Sequence, residues 1–493
     1  MKEYILKIAC LLFLSLSLGS CADFLDEKPQ SDFMQEGTGT ENLVSKYTSL
    51  ADAESELQGA YSSFKTDIFQ QENFMINDVQ SDNCYVGGDG INEETIDLIK
   101  MYSTNVKVGL VWEQYFSMAG SATNVIENTR LMESSIISDA DKARIMAEAK
   151  FIRAWAFFDM VRIWGDLPMV LQLIPTITSQ NLDTWYPVMY PERTSEEQVY
   201  AQIIDDLDED NTIKYLDSQN KGAFKATKGA AYGLLAKVLA TRGEKSSRDY
   251  NKVIDYCNKC ISEGYQLIAT FDDLWNPDNK FTTESIFEVY YTIDSPTWAY
   301  WTLLKEDDGT VTWRRYCTPT QDLIAKYDKT KDVRYASSII WKKAPYDVYY
   351  PASNYPFSYK IREKNSDIIL MRLADILLLK AEALVELNRS PEAIDIVNAI
   401  RERAGFGISS LNRDMSQSNA RLAVENERQL ELYMEGQRWY DLVRNDRMLD
   451  VMRKHKDQNG KLLFADLESF RYKWPIPQSE MDKNIRLTQN EGY

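Results

Sequence analysis

A chain of 493 residues, 44% hydrophobic and 27% charged, has the make-up of a soluble globular protein; its length alone suggests two to four domain-sized units. A formal charge of −19 repels the phosphates of a nucleic acid over most of the surface, so no nucleic-acid partner is expected. The single histidine, His455, excludes any metal site needing two imidazoles within one chain, and it sits in the polar run RKHKDQNGK, which reads as a solvated loop rather than a catalytic position.

The first residues read as an address. Lys2 and Lys7 flank an apolar run from Ile8 to Leu18 that is too short for the roughly 20 apolar residues a bilayer requires. Residues 1–20 therefore read as a secretory signal. The junction Leu18-Gly19-Ser20-Cys21 resembles the lipobox of bacterial lipoproteins, with Cys21 acylated and residues 21–40 as a lipidated tether. A simple small-residue cleavage site, with Cys21 nearby by chance, is the alternative. Removing residues 1–20 takes away two Lys and one Glu and leaves the remainder near −20, so a lipid rather than electrostatics would hold it to a membrane. No later segment approaches 18 consecutive apolar residues.

Leu50, Leu57, Tyr61 and Phe64 recur at helical spacing and predict a helix within about 41–66. A helix is expected at about 111–131. Another at 141–164 has Ile145, Ala149, Ile152, Ala156 and Met160 on one face and ends at Gly165 and Pro168 of WGDLP. The helix at about 195–212 carries the acidic run IIDDLDED, read as a solvated face rather than a calcium site. Helices follow at about 226–243 and 249–263. The latter holds Cys257 and Cys260, read as core-facing residues one turn apart, with a disulfide or redox pair as the alternative. SIFEVYYTI, 285–293, is the best strand candidate, and the pattern closes with helices at about 371–388, 391–404 and 420–444.

The fold class is thus mainly α with a few short strands. Adjacent helices form pairs. In LLLKAEALVELNRSPEAIDIVNAIRERAG, small Ala381 and Ala393 stand twelve apart with Leu377, Leu384 and Val397 around them, as in tetratricopeptide-like pairs. A helical-pair superhelix over about 41–66, 111–164, 195–263 and 371–444 would carry large irregular, loop-rich insertions at about 67–110, 165–195 and 265–370. Aromatic residues crowd those insertions. Tyr290 to Tyr316 contains seven Tyr and Trp, and a second cluster holds Tyr346, Tyr349, Tyr350, Tyr355 and Phe357. Exposed clusters of large rings mark binding surfaces. Trp112, Trp155, Trp164, Trp439 and Trp474 instead read as packing residues.

Five separated stretches, in order along the whole chain, resemble the RagB/SusD family: CADFLDEKP, FIRAWAFFDMVRIWGDLPMV, MRLADILLLKAEALVELN, NERQLELYMEGQRWYDLVR and WPIPQSEMDKNIRLTQNEGY. The resemblance implies one SusD-like domain over 41–493 with a loop-rich ligand-binding part. It implies a non-catalytic lipoprotein on the outer face of the outer membrane of Bacteroidetes, anchored through Cys21, with Asp23, Asp26 and Glu27 as part of its export signal. It further implies glycan capture and hand-over to a SusC-like TonB-dependent transporter. No cofactor or metal site is expected from the residues, with a structural calcium left open. In the family, ligand-contacting residues come from a loop in the first hundred residues and from loops after the strand. Here those positions point to Asp82, Asn83 and Tyr85, then Tyr291, Trp298, Trp301, Trp313 and Arg314. The tryptophans would be stacking platforms on pyranose faces, each contributing roughly 0.5–1.5 kcal/mol by analogy with aromatic pairs. Three other readings stay open: a peptide-binding RagB-type receptor with the same transporter partner, a structural lid with no ligand of its own, and a helical glycoside hydrolase. The hydrolase would need two carboxylates about 5–10 Å apart across a cleft.

Overall fold

The computed structural model describes residues 43–219, 222–300, 315–344, 349–351 and 353–493. Everything below concerns the unit Leu43–Tyr493. With 51% helix against 7% strand it is a mainly α protein, as the periodicity predicts.

Helix α1, Leu50–Ser62, starts at a reciprocal cap: Ser49 Oγ accepts Asp52 N at 3.2 Å and Asp52 Oδ2 accepts Ser49 N at 3.0 Å. Its Ala53, Leu57, Ala60 and Tyr61 face inward. The chain then departs from the loop expected after residue 66. It stays helical through a tight turn at Ser63–Lys65 and two wide π-helical turns, Ile68–Glu72 and Met75–Val79, whose side chains are all buried. Where every face is buried the apolar residues no longer mark one side, so periodicity cannot show the helix. A two-residue strand β1, Cys84–Tyr85, and a short helix α2, Ile91–Asp97, follow.

Helices α3, Val106–Leu131, and α4, Asp139–Trp164, pack on each other, capped by Asn105 and Ser138. Gly165 ends α4 at φ +78°, a conformation that favours glycine. A half-exposed helix α5, Leu182–Met189, leads to α6, Glu196–Asp206. Arg153 of α4 grips Asp206 of α6 with a two-pronged ion pair at 2.8 and 2.6 Å. The next pair is α7, Lys228–Leu239, and α8, Tyr250–Ser262. Gly233 permits its close contacts, since a Cβ there would lie 2.5 Å from Met371 Sδ. Cys257 and Cys260 are buried free thiols on α8, the core-facing placement expected.

Strand β2 spans Ser285–Val289, four residues short of the expected run, and pairs antiparallel with β6, Ile368–Arg372. Between them lie β3, Thr318–Pro319, which pairs with β1, and the pair β4, Ile339–Lys342, with β5, Tyr355–Ser358. Short helices α9, Gln321–Lys326, and α10, Arg334–Ser338, occupy the same region. Phe287 of β2 enters the helical core, its ring 5.0, 5.1 and 5.2 Å from those of Phe64, Phe151 and Trp155.

The last helical pair, α11, Leu373–Glu386, and α12, Ser390–Arg403, leads to α13, Gln417–Glu431. The single helix expected at 420–444 is broken. After α13 the chain turns at Met434 (φ +58°) and Gly436 (φ +71°) before α14, Arg438–Arg444. The break is held by buried Asp78, which accepts Met434 N at 3.0 Å, Gly436 N at 3.3 Å and Asn83 Nδ2 at 2.9 Å. Burial nonetheless pushes the Asp78 carboxyl up to about 6. Two short helices complete the order, α15, Met448–Met452, and α16, Gln478–Lys483.

Glu431, at the end of α13, is a convergence point. It pairs with Arg334 at 2.9 Å and Arg372 at 2.6 Å, and also with Arg403. Arg372 reaches on to Glu284 and Glu435, each at 2.7 Å. Burial disfavours the charge on Glu431, but the three guanidiniums outweigh it and hold the carboxyl well below the usual range. Trp112, Trp155, Trp164, Trp439 and Trp474 are all buried, as their placement in helices and motifs suggests.

Candidate functional site

The segment after β1 reads VGGDG, and two of its three glycines relieve a close approach. A Cβ on Gly87 would lie 2.1 Å from Tyr355 Oη and 2.5 Å from Thr318 Oγ1; one on Gly90 would lie 2.9 Å from Tyr316 Cε1. The segment is pinned on both sides. Gly87 N donates to Arg315 O at 3.0 Å, and Val86 N donates to Asp97 Oδ2 at 2.9 Å. Thr320, which follows β3 and caps α9, holds its base, its N donating to Asn83 O and its Oγ1 to Asp82 O, both at 2.9 Å.

This arrangement borders a cleft of about 570 Å³. Tyr85 and Tyr349 meet there edge to face, ring centres 5.4 Å apart and planes at 89°. Asp89, Glu94, Asp97 and Asp457 line it with His455 and Gln458, and no Lys or Arg is among the lining residues described. Burial pushes the Asp97 carboxyl up to about 7, against the Val86 amide that favours its charged form. His455 is not the solvated residue expected from its polar neighbours. It is 6% exposed and stacks on Phe464 with planes 15° apart. Burial lowers its pKa despite Asp82 and Asp322 nearby, which keeps it neutral at pH 7. The cleft thus offers the half-buried Tyr349 ring, backed edge to face by the largely buried Tyr85, and a set of acceptors, with no cation among the lining residues described.

The residues predicted as ligand contacts fall in different surroundings. Tyr85 lines the cleft, with 7% of its surface exposed. Asp82 turns inward, where Arg438 Nε and Nη2 donate to its two oxygens at 2.7 and 2.9 Å and Gln429 Nε2 adds a third bond at 3.0 Å. Burial opposes its ionisation, but Arg438 prevails and holds the carboxyl well below the usual range. Asn83 is fully buried between Asp78 and Gln429. Tyr291 is 2% exposed, its ring under Lys65 Nζ at 5.2 Å. These three side chains have no open face for a ligand, because inward hydrogen bonds and packing already occupy them. Trp298 is half-buried, and Gln70 Oε1 accepts both its amide and the Thr297 hydroxyl at 2.8 Å. Trp301, Trp313, Arg314 and Cys21 lie outside the described residues.

Sequence reasoning places Tyr349 in an aromatic cluster without naming it as a contact, and does not single out Glu94, Asp97 or His455. The glycine-rich VGGDG beside Tyr85 is a further signal, as a place where backbone must pass close to side chains. Among the described residues no group of three His, Cys, Asp or Glu side chains could hold a metal ion.

Two family models match the chain. One, described as the SusD family, covers residues 263–493; the other, described as starch-binding associating with outer membrane, covers residues 23–239. SusD-like protein P38 of Formosa agariphila is 27% identical over 99% of both chains. Among solved structures, a laminarin binding SusD-like protein superposes with a TM-score of 0.72 at 20% identity, over 91% of this chain and 100% of its own. Surface glycan-binding protein A from Bacteroides fluxus gives 0.73 at 21% identity, over 90% and 99%. Likeness at that identity establishes the shared fold.

Proposed function

Since the chain belongs to the SusD family, we propose that it is a cell-surface lipoprotein, anchored in the outer membrane through Cys21, that captures oligo- or polysaccharide by aromatic stacking and passes it to a SusC-like TonB-dependent transporter. The observation that carries this reading is the Tyr85–Tyr349 cleft. A sugar ring has an apolar C–H face for the phenols and a rim of hydroxyls that donate to Asp89, Glu94, Asp97 and Gln458. The acidic lining favours a neutral glycan over a sulfated or carboxylated one in this cleft. Trp298, Trp301, Trp313 and Arg314 remain further proposed contacts on the strength of the family resemblance alone.

Relatives support the ligand class: one family model is named for starch binding, and two structural neighbours for laminarin and for surface glycans. Those names describe binding proteins, which favours capture over catalysis here. Calorimetry on the full chain in detergent, with malto- and laminari-oligosaccharides, tests the reading. Binding that Tyr85→Ala and Tyr349→Ala weaken supports it. Release of reducing ends on incubation would point to a hydrolase instead.

A further inference from the structure

A second cleft, of about 500 Å³, lies against α1 and α4. Helical spacing turns Glu54, Gln58, Tyr61 and Lys65 to the same side of α1 and its continuation, and Arg144 and Glu148 stand one turn apart on α4. Most of its charges are satisfied. Arg144 binds Glu54, and Glu148 at 3.0 Å; Lys225 binds Asp217. Lys65 is the exception. Among the described residues its ammonium has no carboxylate within ion-pair distance and rests 5.2 Å from the centre of the Tyr291 ring. Asp367 favours its charge from beyond ion-pair distance but is itself bound to Lys280, so among the described residues Lys65 is a half-buried cation with no direct ion pair inside a cleft, which points to an anionic ligand.

A flat surface stands in the same cleft. Tyr290 is 38% exposed and stacks on Phe281, ring centres 5.7 Å apart and planes at 27°, so its orientation is fixed while part of the ring stays open. Lys280, also near that ring, is committed to Asp367 at 2.6 Å and leaves Lys65 as the available cation. Lys65 is held in place from behind: Gln70 Nε2 donates to its carbonyl at 2.6 Å, and the same amide's oxygen accepts Trp298 N at 2.8 Å.

We propose that this cleft is a second sugar site, separate from the Tyr85 cleft, and that it takes a carboxylate-bearing sugar, a hexuronate, whose carboxylate pairs with Lys65 while its C–H face packs on Tyr290.

Saturation-transfer NMR on the full chain in detergent, with sodium glucuronate as ligand and glucose as control, tests the proposal. Glucuronate gives a signal above that of glucose, and Lys65→Met and Tyr290→Ala each weaken its binding about tenfold. Tyr85→Ala leaves it unchanged. A glucuronate signal no larger than that of glucose overturns the proposal. So does a signal that survives both Lys65→Met and Tyr290→Ala, or one that Tyr85→Ala abolishes. Thermal melts show whether each variant is folded; should Lys65→Met not fold, Tyr290→Ala decides alone. The Tyr85 cleft is read separately, by its binding of neutral oligosaccharides, so either site can fail without the other.

Discussion

Arg438 closes on Asp82 with a two-pronged ion pair across 356 residues of chain, Nε to Oδ1 at 2.7 Å and Nη2 to Oδ2 at 2.9 Å. The pair ties the segment beneath the Tyr85 cleft to the start of α14. Asp82→Ala would leave a buried guanidinium without its partner, at a cost of about 3–5 kcal/mol in chemical denaturation. Glycan affinity of the folded fraction should be unaltered. A denaturation midpoint equal to that of the native chain would count against this role.

Tyr85→Ala and Tyr349→Ala are each expected to weaken binding of a neutral oligosaccharide about 3–10-fold, the loss of one stacking contact. Because no Lys or Arg lines the cleft among the described residues, raising salt from about 50 to about 500 mM should leave that affinity nearly constant. A steep salt dependence by calorimetry would mean that ion pairing, not stacking, holds the ligand.

Stability should fall as pH rises from 5 to 8.5. Burial, reinforced by the neighbouring Asp367 carboxyl, pushes Glu288 up to about 8; burial likewise lifts Asp97 to about 7 and Asp78 to about 6. Each carboxyl titrates near 4 in the unfolded chain, so between about 4.5 and 8 the folded state holds more protons. The stability they contribute is complete below the unfolded value and is lost as pH climbs through the folded one. His455, lowered by burial, acts in the opposite direction near 6.5. At about 1.4 kcal/mol per carboxyl for each pH unit over which the folded chain alone keeps the proton, the net loss should be several kcal/mol, and Glu288→Gln should flatten the profile. Melting curves at several pH values measure both; a profile that rises toward pH 8.5 contradicts the assignment.

Gly436→Ala should destabilise the chain by about 2 kcal/mol or more. The residue sits at φ +71°, and a Cβ would lie 2.2 Å from Asn73 Nδ2. Denaturant titration of this variant beside Gly59→Ala, where a Cβ meets nothing within 4 Å, isolates the effect of the turn. Equal midpoints for the two would refute it.

The long helices were legible because each has one dry face: Ile145, Ala149, Ile152 and Ala156 trace α4 from spacing alone. Residues 68–79 were not, since their turns are buried on every side. Of the neighbours expected as ligand contacts, Tyr85 lines the cleft, but sequence cannot tell Asp82 and Asn83, which turn inward, from it. Their inward partners, Arg438 and Gln429, lie near the other end of the chain, and proximity in sequence is silent about them. His455 was misread for the same reason: its charged neighbours suggest water, while Phe464 nine residues on covers the ring.

The convergence on Glu431 has a mechanical consequence. Arg334 comes from among the short strands, Arg372 from β6 and Arg403 from α12, so the loop-rich part and the helical scaffold are riveted at one carboxylate. A swing of one against the other would have to break these buried ion pairs, each of which leaves an uncompensated charge behind when it opens.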